Sequence, residues 1–317
     1  MIKFIFSQEF LISTILFTMP ILFASMAALV SNKAGILNIN IEGTMSVAAL
    51  VGSLVSFYTK SWLLGVILSI ITGIIMALLL SFATFKLQTD HILAGIALNT
   101  FATGLSILIL YLVLGVKGDS SLAPSVVIPN LTIPLLSKIP FLGPILFSQN
   151  ILVYIGILLV YILWWLMNRT KLGLRIRAVG ENPVACSSVG INVNQIKMIS
   201  LFISGVFCGF GGAFLSMVYL SYFSVGMVGG RGFIGLAAEA IGAGNPISTA
   251  LFSLLFGMVD YFAIGAQSVL SIPYELLNTL PYLMTVLALI IYSIKKSKSN
   301  YNNIQGKVND NEKSMGT

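Results

Sequence analysis

Long runs of apolar residues recur along this chain of 317 residues, and their length restricts the fold more than any other feature. The hydrocarbon core of a bilayer is about 30 Å thick, so a helix needs roughly 20 mostly apolar residues to cross it. Helices also satisfy their own backbone hydrogen bonds, which lipid cannot do. The sequence therefore predicts an all-α integral membrane protein. Its clear candidate spans are residues 10–30, 62–85, 92–114, 150–167, 198–220, 247–265 and 281–294.

Two further stretches are apolar but interrupted. Residues 34–57 contain Asn38, Asn40, Glu42 and Gly43, and residues 229–242 read GGRGFIGLAAEAIG. Polar groups and glycine inside an apolar run indicate a helix that is broken or only half-length. If both stretches cross, the chain has about nine membrane helices, within a range of eight to ten. A re-entrant course of either stretch would change the count.

The distribution of charge indicates the orientation. Only 9% of the residues are charged, against roughly 25% in soluble domains, so an ordinary water-exposed surface is excluded. Residues 169–197 hold five basic residues and one acid, and Lys295, Lys296 and Lys298 follow the last apolar run. Basic segments of membrane proteins lie in the cytoplasm. The net charge of +7 is therefore attributed to orientation rather than to nucleic-acid binding, and the N-terminus is placed outside.

These patterns predict one transmembrane domain, residues 1–297, followed by a polar tail, residues 298–317, that we expect to be disordered in the cytoplasm. Residues 115–148 contain five prolines and are expected to form an external loop, because proline breaks the backbone ladder that a span requires. Residues 169–197 are expected to form a cytoplasmic loop. No small-residue cleavage site follows residues 10–30, which we interpret as a retained helix.

The residues offer no enzyme signature. A P-loop requires the pattern GxxxxGK[ST], and the Gly306-Lys307 pair is followed by Val308. The only histidine is His91, so no zinc site is expected. Cys186 and Cys208 lie in a basic loop and an apolar run, which favours reduced, structural thiols. We therefore expect neither catalysis nor a bound metal or cofactor.

Small residues at four-residue spacing form two ridges. One consists of Gly65, Ser69 and Gly73, and the other of Gly205, Gly209 and Ala213. Small residues let helix backbones approach closely in lipid. Both ridges are interpreted as helix-packing surfaces, with the lining of a pathway as the less favoured alternative.

Acidic residues inside apolar stretches are more informative, because a charge in hydrocarbon is retained where it faces protein or water. Glu42 and Glu239 each lie in an interrupted stretch. Either carboxylate could accept hydrogen bonds from backbone N–H groups at a helix break, which is the favoured interpretation, or could contact a substrate. Asp260 lies closer to the end of a span and is expected to reach the interface.

The basic segment 170–197 has the pattern of a short helix outside the bilayer. Asn182 before Pro183 suits a helix start, and Gly190 suits its end. A short helix of residues 183–189 is therefore predicted. It could dock a cytoplasmic partner, whereas the flanking basic residues alone would also suit lipid headgroups.

Three separated segments together resemble a known family. Residues 34–45 (AGILNINIEGTM), 170–193 (TKLGLRIRAVGENPVACSSVGINV) and 229–246 (GGRGFIGLAAEAIGAGNP) are similar to the permease subunits of bacterial ABC importers in the branched-chain amino acid and simple-sugar permease family. The likeness is strongest to its nucleoside-type branch, which works with basic-membrane-protein-like lipoproteins, and covers roughly residues 10–294. The chain departs from the family at Glu239, where a bulky or aliphatic residue is common, and in NINIEGTM, where an NLGLEGM-like run is usual.

The resemblance implies partners and a contact with one of them. Members of the family combine two permeases, commonly different, with an ATP-binding subunit and an external substrate-binding lipoprotein, in the bacterial cell membrane. ATP and Mg would be bound by the ATPase, and no cofactor by this chain. The segment expected to couple the permease to the ATPase contains Gly180, Glu181, Asn182, Pro183, Ala185, Gly190 and Ile191.

The expected function is ATP-driven import of a nucleoside, with purine nucleosides favoured. A simple-sugar or other small-solute importer is the alternative, and an ATP-independent channel or carrier is a third possibility. We expect the pathway near the bilayer middle, where interrupted helices expose polar backbone. Its candidate residues are Asn38, Asn40, Glu42, Phe233 and Glu239, although a phenylalanine at position 233 is more often a core residue.

Overall fold

The computed structural model describes residues 7–131 and 142–267, together with the single positions 279, 283, 286 and 290. This part of the chain is helical and contains two isolated β-bridges but no named strand. Its helices, in chain order, are α1 (Gln8–Lys33), α2 (Ile41–Thr59), α3 (Trp62–Phe85), α4 (His91–Leu114), α5 (Leu142–Phe147), α6 (Ile151–Arg169), α7 (Lys171–Glu181), α8 (Pro183–Ser188), α9 (Val193–Phe214), α10 (Arg231–Ile241) and α11 (Pro246–Gln267). A π-helical turn, Leu215–Tyr219, extends α9.

Seven of these helices are long and apolar enough to cross a membrane, namely α1, α2, α3, α4, α6, α9 with its π-turn, and α11. The prediction of a multi-pass helical membrane protein is confirmed, but a total of nine membrane helices is not reached in the described residues. The predicted span 281–294 lies almost entirely outside them. The stretch 34–57 is not half-length, because a break over residues 34–40 is followed by the 19-residue α2. The stretch 229–242 does give a half-length helix, α10, of 11 residues.

Helix α1 lies at the centre of the bundle. Its residues from Phe17 to Ser31 are all buried, and it packs against α9, α10 and α11. Its side chains belong to the main apolar core together with those of α2 and α9. A helix that is apolar on every side suits this central position.

Ser69 and Gly73 of one small-residue ridge pack against Gly205 and Gly209 of the other, whereas Gly65 packs against Gly52 of α2. A Cβ atom added to Gly205 would lie 2.9 Å from the Cβ of Ala77, and one added to Gly73 would lie 2.9 Å from the backbone nitrogen of Gly209. Helices α3 and α9 therefore approach to backbone contact. The packing interpretation of the ridges is confirmed.

The loops define two ends of the bundle. At one end, the backbone N–H of Ser120 donates to the carbonyl of Phe223 at 2.7 Å, so residues 115–131 pack on the end of α9. At the other end, Lys33, the last residue of α1, contacts Gly180 of α7 and Gly244 after α10. We call this second end the basic end, because Lys33 and Arg177 lie there.

Candidate functional site

The carboxylate of Glu42, in the first turn of α2, contacts the start of α10. The backbone N–H of Gly230 donates to its Oε1 at 2.7 Å, and that of Gly232 donates to its Oε2 at 2.8 Å. The first N–H groups of a helix have no partner within the helix, and the helix dipole favours an anion there. Of the two alternatives for Glu42, the structure shows the hydrogen-bonding role at a helix break.

Glycine at position 232 makes this contact possible. A Cβ atom added there would lie 2.7 Å from Oε2 of Glu42 and 2.9 Å from its Cα. Any larger residue would push the two interrupted stretches apart. The last glycine of the GGRG sequence, Gly232, is therefore required for steric reasons.

Asn99 of α4 forms hydrogen bonds on both sides of the break that precedes α2. Its Oδ1 accepts a hydrogen bond from the N–H of Gly43 at 2.8 Å, and its Nδ2 donates to the carbonyl of Ile39 at 3.0 Å. One side chain thus joins the last residues before α2 to its first turn. Asn99 is not among the residues predicted from the sequence, although an amide in the middle of an apolar run is a signal that could have identified it.

Asn38 and Asn40 hold the break from inside. Asn38 donates from Nδ2 to the hydroxyl of Ser204 at 3.0 Å and accepts at Oδ1 from the N–H of Asn40 at 3.1 Å. Asn40 is fully buried, and the nitrogen and oxygen of its side-chain amide have no hydrogen-bond partner within the described residues, so only its backbone holds the break. Neither asparagine lines the cavity described next.

A cavity of about 590 Å³ lies between α2, α4 and the start of α10. Glu42 and Phe233 line it, together with Ser46, Asn99, Thr100 and Thr103. Small-molecule sites in proteins occupy roughly 300–1,000 Å³, so the cavity can hold a ligand of that class. Phe233 is 45% exposed, and the expectation that it is a core residue is therefore wrong.

A buried ion pair secures α10 next to this cavity. Nη2 of Arg231 lies 3.0 Å from Oδ2 of Asp260, and the Arg231 guanidinium lies over the rings of Phe17 and Tyr219 at 5.7 and 5.2 Å from their centres. Asp260 is buried on α11, where its carboxylate is paired with Arg231. Arg231 is not among the residues predicted from the sequence, although a single cation inside an apolar stretch is a signal for such a site.

Glu239 lies away from the cavity, in the last turns of α10. It accepts a hydrogen bond from Nδ2 of Asn32 and lines a second cavity, of about 400 Å³, at the basic end. Lys33, Arg177 and Glu181 also line this second cavity. The five predicted pathway residues are therefore not brought together: Glu42 and Phe233 share the first cavity, Glu239 lines the second, and Asn38 and Asn40 line neither.

The predicted short helix outside the bundle is present as α8. Oδ1 of Asn182 accepts from the N–H of Ala185 at 3.0 Å, and Gly190 has a φ of +82°. The cap, the proline at the first turn and the glycine after the end are confirmed. Val184 is 73% exposed and Val189 75% exposed, so α8 presents apolar surface away from the bundle. The preceding α7, of 11 residues, was not predicted.

The fold and these sites define a multi-pass membrane protein in which interrupted helices surround a ligand-sized cavity, with a projecting helix at the basic end. Residues 10–289 match the family described as branched-chain amino acid transport system / permease component. The chain belongs to this family. The family resemblance of the sequence is confirmed.

Similar proteins carry names that describe transport. The chain is 34% identical over 296 residues to the nucleoside ABC transporter permease protein NupC of Lactococcus lactis, covering 90% of this chain and 92% of that protein. It is 31% identical to the guanosine ABC transporter permease protein NupQ of Bacillus subtilis, covering 87% and 89%. It is 28% identical to TsgC13 of Haloferax volcanii, provisionally named a glucose ABC transporter permease, covering 93% and 94%.

Membership of this family settles the general character of the chain. It is a permease component and not an enzyme, and a permease component has partner components in its transport system. Among the described residues, no group of three His, Cys, Asp or Glu side chains is placed to hold a metal ion.

Proposed function

We propose that the chain is one permease subunit of an ATP-driven importer of nucleosides, with purine nucleosides favoured. The observation that carries this proposal is the 34% identity to a nucleoside permease along 90% of the chain. The guanosine permease, similar over 87% of the chain, supports the purine preference. The permease named for glucose keeps a sugar importer as the second candidate.

The chemistry of the first cavity supports a nucleoside. Phe233 offers a ring face on which a base can stack. The hydroxyls of Thr100 and Thr103 donate to carbonyls of their own helix, which leaves their oxygens able to accept from ribose hydroxyls or base N–H groups. Each carboxylate oxygen of Glu42 also has a second lone pair. The cavity thus combines an aromatic face with several hydrogen-bond acceptors.

We assign coupling to the ATP-binding subunit to the segment that contains Gly180, Glu181, Asn182, Pro183, Ala185, Gly190 and Ile191. This assignment is supported by the exposed valines of α8, since apolar surface outside the bilayer suits a protein partner better than charged headgroups. ATP and Mg would be bound by that partner. The basic end is then the cytoplasmic end.

The proposed complex contains a second, different permease and an external substrate-binding lipoprotein, in a bacterial cell membrane. We propose nine crossings for this chain. The seven long helices provide seven, the stretch from residue 220 through α10 runs from one end of the bundle to the other, and residues 281–294 would supply the ninth. We propose that residues 115–148 form an external loop and that residues 298–317 form a cytoplasmic tail.

Uptake by membrane vesicles tests the proposal. Vesicles contain this chain, its companion permease, the ATPase and the receptor, and uptake of labelled guanosine, inosine and ribose is measured with and without ATP. ATP-dependent uptake of a nucleoside that excess ribose does not reduce is the expected result. Uptake of ribose alone would assign the chain to the sugar importers.

Vesicles that contain this chain alone provide the control. We expect no uptake from them. Uptake without ATP or partners would overturn the ABC importer proposal in favour of a channel or secondary carrier.

A further inference from the structure

Helix α10 is held at both ends by carboxylates that link it to the segment between α1 and α2. At its start, Glu42 accepts hydrogen bonds from Gly230 and Gly232. Near its end, Glu239 accepts a hydrogen bond from Asn32, in the last turn of α1. Glu239 is only 6% exposed, and a buried carboxylate is stable only where such partners satisfy it. The position of α10 therefore depends on residues 32–42.

The segment that follows Asn32 is in close contact with the proposed coupling segment. A Cβ atom on Gly180 would lie 3.2 Å from the backbone nitrogen of Gly35 and even nearer to the carbonyl of Lys33. Gly244, in the turn after α10, packs on the side chain of Lys33. The two backbones are in direct contact, with no space between them. A displacement of α7 must move Lys33 and its neighbour Asn32.

The other end of α10 forms a wall of the first cavity. Phe233 lies in the first turn of the helix and faces the cavity, whereas Glu239 lies in the last turns. A helix of 11 residues is about 16 Å long at 1.5 Å per residue. Because it is short, hydrogen-bonded along its length and packed through Gly235 on Ala24 of α1, α10 is a rigid element in which a shift at one end reaches the other.

We propose, on the basis of the proposed function, that α10 transmits movement of the coupling segment to the substrate cavity, with the Asn32–Glu239 hydrogen bond as the joint. Asn32 and Glu239 are then positioning residues, since neither lines the substrate cavity. The Asn32–Glu239 hydrogen bond can be broken and remade between two states of the transporter. Such a two-state element is what physical coupling between distant sites requires.

An exchange of donor and acceptor tests the joint in the assembled complex. Asn32→Asp would place two carboxylates against each other, and we expect nucleosides imported per ATP hydrolysed to fall at least about fivefold. In Asn32→Asp/Glu239→Gln, the new glutamine amide can donate to the new aspartate. We expect this double variant to recover to within about twofold of wild type.

Ser25→Ala is the matched control. It removes a buried 2.8 Å hydrogen bond between Ser25 of α1 and Ser253 of α11, on the same helix as Asn32, and leaves the hydrogen bonds of Glu42 and Glu239 in place. The number of nucleosides per ATP should stay unchanged, even if the melting temperature falls. A wild-type ratio in Asn32→Asp, or no recovery in the double variant, would overturn the joint.

A second readout does not depend on the substrate. Phe233→Cys, in a background with Cys186 and Cys208 replaced by alanine, is labelled with a thiol reagent in the presence and absence of ATP. We expect ATP to change the labelling rate in the otherwise wild-type complex, to have no effect with Asn32→Asp, and to regain its effect in the double variant. If this pattern holds while no nucleoside is imported, the proposed substrate fails and the joint stands. If ATP changes labelling equally in all three, the joint fails.

Discussion

The backbone nitrogen of Gly232 lies 2.8 Å from Oε2 of Glu42, although the two residues are 190 positions apart in the chain. Each belongs to one of the two interrupted stretches. The carboxylate in one stretch satisfies the N–H groups at the start of the helix in the other, and the missing side chain at Gly232 makes room for it. The two interruptions are therefore complementary parts of one structure, placed at the wall of the cavity.

Gly232→Ala should destabilise the protein. A methyl group at this position meets the Glu42 backbone as well as its carboxylate, and overpacking of this kind lowers the free energy of unfolding by about 1–3 kcal/mol. The melting temperature of the purified chain in detergent measures the effect. Gly118→Ala is the control, since a Cβ atom there has no heavy atom within 4 Å. Equal melting temperatures for the two variants would contradict the steric argument.

The stability of Glu42 variants should depend on how many of its hydrogen bonds remain. Glu42→Ala leaves the N–H groups of Gly230 and Gly232 without acceptors, at about 1–3 kcal/mol for each buried group. Glu42→Gln keeps one acceptor oxygen and should be intermediate. We expect melting temperature and uptake to decrease in the order wild type, Glu42→Gln, Glu42→Ala. Glutamine and alanine variants of equal stability would show that the hydrogen bonds do not matter.

Hydropathy and local signals predicted much of the fold. The apolar runs located the long helices because lipid requires about 20 apolar residues, whatever the neighbours of each helix are. Asn182, Pro183 and Gly190 identified α8 because capping is a local property of a few residues. The half-length of α10 followed in the same way from the glycines around it.

The contacts between helices could not be predicted in this way. Hydropathy does not say which helices are neighbours, so the pairing of Arg231 with Asp260 and the bridge made by Asn99 were missed. The same limitation explains why Glu239 was grouped with Glu42. Both are acids in interrupted stretches, but Glu42 of α2 contacts the start of α10 whereas Glu239 lies near its end, so the two carboxylates line different cavities.

Arg231 and Asp260 should stabilise the protein only when both partners of the ion pair are present. Removing Arg231 leaves the buried carboxylate of Asp260 without its cation, which destabilises by about 3–5 kcal/mol. Arg231→Met should therefore lower the melting temperature strongly. Asp260→Leu should lower it less, because Arg231 still donates to the carbonyls of Met227 and Val228. The double variant Arg231→Met/Asp260→Leu should be more stable than either single variant, because no charge is then left buried. If the losses of the single variants simply add, the two residues do not act as a pair.

Phe233 should contribute to substrate affinity rather than to folding. If a base stacks on its ring, Phe233→Ala should raise the KM for guanosine by roughly tenfold, since stacking on an aromatic side chain is worth about 1–3 kcal/mol. Phe233→Tyr keeps the ring and should stay near wild type. Phe202→Ala is the matched control, because Phe202 of α9 is 43% exposed but does not line the cavity. A similar KM for both alanine variants would remove Phe233 from the binding site.

Bulky substitutions in the coupling segment should separate ATP hydrolysis from transport. Gly190 has a positive φ, a conformation that costs most other residues about 1–2 kcal/mol. Gly190→Val should therefore shift the end of α8. Gly190→Asn should not, because asparagine tolerates this conformation. Glu181→Trp should obstruct the same contact by its size, since Glu181 is exposed beside α8. We expect Gly190→Val and Glu181→Trp to insert normally into the membrane but to import fewer nucleosides per ATP hydrolysed, and Gly190→Asn to match wild type. Wild-type transport by both bulky variants would exclude this segment from coupling, because the chain would then tolerate large changes at the contact that the ATPase is proposed to make.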